Sequence, residues 1–345
     1  MSLDTEFERV SLPLANAFTI SRGTQETAEN VIVKITDEGG MTGIGGAAPS
    51  SHYGETADTV EAVLPDLLDV VEDVGDAHAL TTIEERMRHT VERNPAARCA
   101  VSIALHDLAA KRTGLPLYRL WGLDPESTPT SSFTIGLDTT EKIREKTADA
   151  VDAGYSTLKV KLGTDRDREI IEAIREEAPD ATLRVDANEA WTPRETVRNS
   201  RWLADHDVEF IEQPVSAADP EGLKFAYERS ELPIAADESC ITLSDIPEIG
   251  DKCDIANLKL MKCGGLQEAM RMIHTARAHG LDVMLGCMLE SNASIAAACH
   301  LAPLLDYADL DGSLLLADDE FDGVDLTGGE IGLDADRNGT GARSR

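Results

Sequence analysis

Leu158-Lys159-Val160-Lys161-Leu162 and Leu183-Arg184-Val185-Asp186-Ala187-Asn188 carry the plainest structural signal in this chain. In both, aliphatic and polar residues alternate with the period of two that a β-strand imposes, so the polar set shares one face. An aliphatic face suits a strand covered by helices, and a polar face suits the inside of a barrel mouth. Working outward, the alternation predicts strands at 133–136, 157–162, 182–188, 208–213, 234–237, 255–260, 282–286 and 307–311. Helical stretches separate them. One opens on Thr192-Pro193-Arg194-Glu195, a capping threonine with Pro in the first turn and Glu at the third position. Another spans 267–279 and stops at Gly280, as a left-handed glycine allows. Strands alternating with helices in this way are the sequence form of a parallel, TIM-like (β/α)8 barrel, an α/β fold.

The region before residue 121 has another rhythm. Residues 1–50 read as strands, with Asp37-Glu38-Gly39-Gly40 as a turn, and the pattern turns helical from Thr56 to about Arg112. Gly43, Gly45 and Gly46 look at first like a dinucleotide loop, but they end a hairpin and no helix follows directly. We therefore expect an α+β capping domain over 1–120 and a barrel over 121–317. The last segment, 318–345, is expected to pack back on the cap.

Composition narrows the function classes. The chain has 345 residues and a net charge of −32, spread along its whole length. Nucleic acid and anionic membranes are poor partners for such a surface. Helix and strand periodicity persists between the charges, so the acid reads as a solvated shell of the salt-adapted kind rather than as disorder. No apolar run reaches the ~18 residues of a membrane span. The residues from Met1 to Val10 carry Asp4, Glu6 and Glu8 and do not read as a secretory signal. Six cysteines without a C-x-x-C pair point to a reduced, cytoplasmic protein. Lysine is scarce: there are ten, and four of them fall in the two short segments 159–161 and 259–262.

The polar residues at the predicted strand ends are Lys161, Asp186, Glu212, Asp237 and Lys259, with gaps of 25, 26, 25 and 22 residues, one βα unit each. The alternation turns them all into the barrel mouth. Three carboxylates there repel one another and lose hydration, at a cost that a bound cation removes. An all-oxygen set suits Mg²⁺, with open positions for water and a substrate carboxylate. The cation stabilises the charge left when the adjacent carbon loses a proton. Lysine takes that proton only if its pKa falls well below ~10.4, and the cation and Lys159 both push Lys161 that way. Lys259, on the opposite arc, is placed to return a proton to the other face, which makes an epimerase or racemase. Chance salt bridging explains any single one of these residues, but poorly explains all five at one repeat length.

These residues resemble the enolase superfamily, and within it the muconate-lactonizing subgroup. The matching segments are Lys159-Val160-Lys161, Asp186-Ala187-Asn188, Ile211-Glu212-Gln213-Pro214, Ala236-Asp237-Glu238-Ser239 and Leu258-Lys259-Leu260-Met261-Lys262-Cys263-Gly264-Gly265. The resemblance extends over nearly the whole chain and implies a modified (β/α)7β barrel. No histidine ends the seventh barrel strand, where Leu285-Gly286-Cys287-Met288-Leu289-Glu290 stands, and this disfavours a mandelate-racemase type of base. The chain looks most like dipeptide epimerases of the L-Ala-D/L-Glu kind. The resemblance implies that Asp309 and Asp311 hold the dipeptide ammonium, that Arg22 meets an acidic substrate side chain, and that Thr134, Cys287 and Met288 line the pocket. Asn188, Glu238 and Glu290 are expected to support these groups from behind, and residues 50–53 to form a lid. His52 and His106 are expected to be structural or to support the site from behind. Two departures stand out: Gly46, where relatives often carry Glu, and Asn338-Gly339-Thr340-Gly341 in the closing segment. The same core also serves muconate cycloisomerases and o-succinylbenzoate synthase/N-acylamino-acid racemases, which need no ammonium site. A small-molecule carboxylate as partner and a homo-oligomeric state are expected.

Overall fold

A computed structural model describes residues 2–345. The N-terminal sheet is an antiparallel meander of β1 (Leu3–Ile20), β2 (Gly23–Asp37) and β3 (Thr42–Ala47). The β1–β2 hairpin outgrows the sheet, and its register shifts between Pro13 and Phe18. Its far end reaches the barrel, where Leu137 N–H donates to Thr19 O at 2.8 Å. This contact sets Arg22, in the turn between the two strands, over the barrel mouth.

Three helices complete the cap: α1 (Ala57–Val74), α2 (Leu80–Thr90) and α3 (Pro95–Thr113). Every residue of α3 from Ala96 to Ala110 is buried, because the helix lies between the sheet and the barrel. The glycines of β3 explain how it fits. A Cβ on Gly43 would lie 2.0 Å from Ala104 O, and one on Gly45 would lie 2.1 Å from Ala100 O. They are a close-packing seam, not a phosphate loop. Gly45→Ala is therefore expected to cost about 1–3 kcal/mol by overpacking, measured as a lowered urea midpoint. Gly46 faces Ala293 and Ser294 Cβ atoms at 3.4 and 3.5 Å, so helix Asn292–Cys299 packs where a longer side chain would stand.

The barrel strands are β4 (Phe133–Ile135), β5 (Thr157–Lys161), β6 (Thr182–Asp186), β7 (Val208–Glu212), β8 (Ile234–Ala236), β9 (Ile255–Lys259), β10 (Asp282–Gly286) and β11 (Tyr307–Asp309). They pair in parallel in sequence order, and a parallel bridge between Ser131 and Ala308 joins the two ends. Leu158, Val160, Leu183 and Val185 face the surrounding helices as fully buried aliphatics. Several strands stop one or two residues short of the alternation. The cause is backbone geometry at the mouth: Asn188 and Gln213 have φ of 44° and 31°, which no strand accommodates. The predicted helix caps are present. Thr192 and Glu195 form a reciprocal capping box, and Gly280 takes φ 78° just after Leu266–Ala278.

The closing segment docks on the cap through Thr340, whose N–H and hydroxyl reach the buried Asp107 carboxylate at 2.8 and 3.2 Å. Leu117 N–H donates to Gly339 O at 2.8 Å beside it. Among the described residues, no helix is long and apolar enough to cross a membrane.

Candidate active site

Register places the chemistry. Lys161 of β5 sits beside Asp186 of β6, which sits beside Glu212 of β7. Asp237 follows β8 directly, and Lys259 ends β9. With eight strands in the ring, β5 and β9 lie across from each other, and the three acids occupy the arc between them. All three acids are fully buried, at 0%, 0% and 1% exposure.

Each amine is tied to a carboxylate. Lys161 Nζ donates to Asp186 Oδ2 at 2.6 Å, and Lys259 Nζ donates to Asp237 Oδ2 at 2.8 Å. Lys159 Nζ bridges Glu212 Oε2 at 2.7 Å and Asp309 Oδ2 at 2.8 Å. Gly286 of β10 makes room for Lys259, because a Cβ there would lie 3.1 Å from Lys259 Cε.

The ionisation pattern follows from these contacts. Burial pushes Asp186 up, but the ammonium groups of Lys161 and Lys159 outweigh it and hold the acid at about 2. Burial likewise opposes ionisation of Asp237, and Lys259 and Lys262 drive it well below the carboxylate range. Glu212 goes the other way: burial and then neighbouring Asp186 raise it to about 7. Burial disfavours a charged Lys259, yet Asp237 keeps its ammonium well above the ordinary range.

A divalent cation fits this set. Glu212 Oε2 lies near Lys159 but receives no aligned N–H, and the Asn188 carboxamide oxygen is equally unpaired although buried. The raised Glu212 marks the same shortage of positive charge. Oxygen donors alone, rigidly held, suit Mg²⁺. Because Glu212 must lose its proton to ligate, added Mg²⁺ should raise the melting temperature more at pH 8 than at pH 5.5. Below about 7 protons compete for that carboxylate, and above it they do not. Differential scanning fluorimetry with and without a chelator checks this.

The other expected residues are distributed as follows. Asn188 N–H and side-chain NH₂ donate to Asp186 at 2.8 and 3.2 Å. Asp309 has both oxygens engaged, the second by Ser132 Oγ at 2.6 Å. Asp311 lies beyond the end of β11; Thr134 N–H donates to its Oδ2 at 2.6 Å, and the Cys287 thiol lies 4.0 Å from its Oδ1. Burial and the neighbouring Asp309 raise Asp311 to about 7. Glu290 accepts from Met288 N–H at 2.8 Å and Ser294 Oγ at 2.6 Å, shaping the turn that presents Cys287 and Met288. His106 is buried within α3, where its Nδ1 lies 2.7 Å from Ser102 O. His52 stands on the cavity wall with Nε2 3.5 Å from Glu189 Oε2.

Strand alternation alone misses several residues. Lys262 is fully buried and donates to Asp237 Oδ1 at 2.5 Å, Asp237 O at 2.7 Å and Asn257 O at 2.9 Å. Its signal was the clustering of scarce lysines. Asn257 steadies Glu212 Oε1 at 2.8 Å, and Gln213 Oε1 accepts from Asp237 N–H at 2.8 Å. Glu189 and Glu238 face Arg22, at 3.5 and 2.8 Å from its Nη1.

A cavity of about 500 Å³ opens above these groups, lined by Lys159, Lys161, Lys259, Asp309, Asp311 and the lid residues 50–53, among others. A larger one, about 710 Å³, lies under the closing segment and holds none of the strand-end residues.

Comparison with known proteins bears on both the architecture and the site. Residues 4–122 match the model of the mandelate racemase/muconate lactonizing enzyme N-terminal domain, and residues 142–339 match the enolase C-terminal domain-like model. The L-Ala-D/L-Glu epimerase of Bacteroides thetaiotaomicron is 40% identical over 93% of this chain and 83% of its own length. The hydrophobic dipeptide epimerase of Roseobacter litoralis is 38% identical over 98% of each chain. The crystal structure of a dipeptide epimerase from Methylococcus capsulatus, complexed with Mg and the dipeptide L-Arg-D-Lys, superimposes with a TM-score of 0.91 at 34% identity over 99% of both chains. With both of its domains matched by family models and a barrel mouth of this composition, the chain belongs to the mandelate racemase/muconate lactonizing enzyme family of the enolase superfamily.

Proposed function

We propose that this protein is a Mg²⁺-dependent dipeptide epimerase that inverts the α-carbon of the C-terminal residue. The observation that carries the proposal is the ring position of the two lysines, with Lys161 on β5 and Lys259 on β9 flanking the acids of β6, β7 and the turn after β8. Asp186, Glu212 and Asp237 would hold the cation. When bound, it draws charge from the substrate carboxylate and competes with the ammonium groups for the same acids, which lowers the amines' pKa.

The four compass points of the mouth then dictate the pose. Around a planar, deprotonated α-carbon, the lysines stand above and below the plane. The carboxylate points toward β7, and the amino end toward Asp309 and Asp311 by β11, on the far side of the ring. Asp311 keeps the less committed oxygen of the pair and is the first contact for an ammonium. The barrel interior below is filled by Lys159 and Arg184, both buried. The side chain must therefore rise along the barrel axis toward Arg22 and the lid. Lys161 removes the proton from one face and Lys259 delivers one to the other. Asp309 and Lys159 neutralise each other beneath them.

The direct test is incubation of L-Ala-L-Glu, L-Ala-L-Lys and L-Ala-L-Leu in D₂O at high salt. A mass gain of one deuterium at the C-terminal α-carbon supports the proposal, and no gain on any of the three removes it. A cycloisomerase or N-acylamino-acid racemase would not need the acids after β10, whereas here Asp311→Asn should raise the KM for a dipeptide.

A salt-adapted, cytoplasmic setting belongs to the same reading. All six cysteines are free, and the charge of −32 needs screening. Raising KCl from 0.1 to 2 M shortens the Debye length several-fold, and should raise the melting temperature by about 5 °C or more.

A further inference from the structure

At the lid end of the cavity two acidic side chains converge on Arg22. Arg22 Nη1 lies 2.8 Å from Glu238 Oε1, 3.3 Å from Asn188 O and 3.5 Å from Glu189 Oε2. The side chain of Glu238 is 2% exposed and neither of its oxygens receives an aligned donor, so the guanidinium is its close cationic neighbour. The same Glu189 oxygen also meets His52 Nε2 at 3.5 Å. Glu189 is therefore the point on the barrel that both lid elements touch, the β1–β2 turn through Arg22 and the Ser51–Tyr53 turn through His52. Its backbone is held at φ 66°, and its second oxygen accepts Ala217 N–H at 2.7 Å, which fixes where the first one points.

We propose that Glu189 is a specificity-determining residue: it tempers the positive charge of Arg22, and so sets how an acidic C-terminal side chain ranks against a basic one. The proposal rests on the placement of the side chain at the lid argued above. The physical basis is a charge count. One guanidinium lies between two acidic side chains, and burial and Arg22 itself shift the nearby His52 away from its charged form. An incoming glutamate side chain finds Arg22 already shared, and an incoming lysine side chain finds a carboxylate only partly neutralised. Removing the Glu189 charge shifts that balance toward acids, with no change at the lysines or at the three acids between them.

The test is Glu189→Gln, which keeps an oxygen for Ala217 N–H and so preserves the loop. The readout is the ratio of kcat/KM for L-Ala-L-Glu to that for L-Ala-L-Lys, which cancels any loss of active protein. A charge several ångströms away in a partly solvated pocket is worth about tenfold, so the ratio should rise by about that factor, mainly through KM. Arg22→Gln should lower it by a similar factor. A ratio that Glu189→Gln leaves unmoved or lowers overturns the inference, because a merely structural role would change both substrates alike. Wild-type protein inert toward both dipeptides and toward L-Ala-L-Leu would instead sink the epimerase reading, and this inference with it.

Discussion

Alanine at Lys161 or at Lys259 should lower epimerisation by about 10³-fold, within the 10²–10⁴ that a positioned acid or base contributes. The two variants should not behave alike. Each leaves one face of the α-carbon served, so each should still wash deuterium into one epimer of the dipeptide while failing to convert it. Lys161→Ala and Lys259→Ala should retain opposite epimers. Mass spectrometry of L-Ala-L-Glu and L-Ala-D-Glu incubated separately reads this directly. Equal loss of exchange from both epimers in both variants would mean that the lysines only hold the acids in place. Each does touch a buried acid, at 2.6 and 2.8 Å, so melting curves must accompany the kinetics.

The second large effect is expected at Asp237. Its carboxylate is the shared partner of Lys259 and of the buried Lys262. Asp237→Asn keeps the shape but leaves two ammonium groups without their countercharge. Breaking a buried ion pair by removing one partner costs about 3–5 kcal/mol. Part of that will be relieved by deprotonation of Lys259, which Asp237 now holds in its charged form. The sign with pH follows. The acid's pKa is depressed on folding, so its contribution is present above the ordinary carboxylate range and lost as pH falls through the folded value. The variant should therefore be weaker than wild type at pH 7, with the gap narrowing in strong acid, as measured by urea denaturation. It should also lose the stabilisation by Mg²⁺.

Much of the barrel could be read from the chain because two simple periods coincide there. Alternation within Leu158–Leu162 and Leu183–Asn188 states which face is polar, and a spacing near 25 residues states that those faces meet. Lys161, Asp186, Glu212, Asp237 and Lys259 carry both signals. What stayed hidden obeys neither period. Lys262 lies on the short helix Leu260–Cys263, which folds back under Asp237, and a strand pattern says nothing of it. Gly43 and Gly45 looked like loop glycines because their partner carbonyls, on α3, are some 60 residues away. Arg22 illustrates the limit best. The resemblance assigns it to a substrate side chain, but no local pattern reveals that Glu189 and Glu238 already converge on its guanidinium. Long-range electrostatics of this sort depends on how loops from different domains meet, and that is visible only in three dimensions.

Early-time isotope analysis of a single conversion probes the central mechanism most directly. With L-Ala-L-Glu in D₂O, two opposed bases require that the first L-Ala-D-Glu formed carries deuterium at the α-carbon. The proton taken by one lysine cannot be the one that the other delivers. Newly formed epimer that retains the substrate's own proton would contradict the account, because it would place both transfers on a single base.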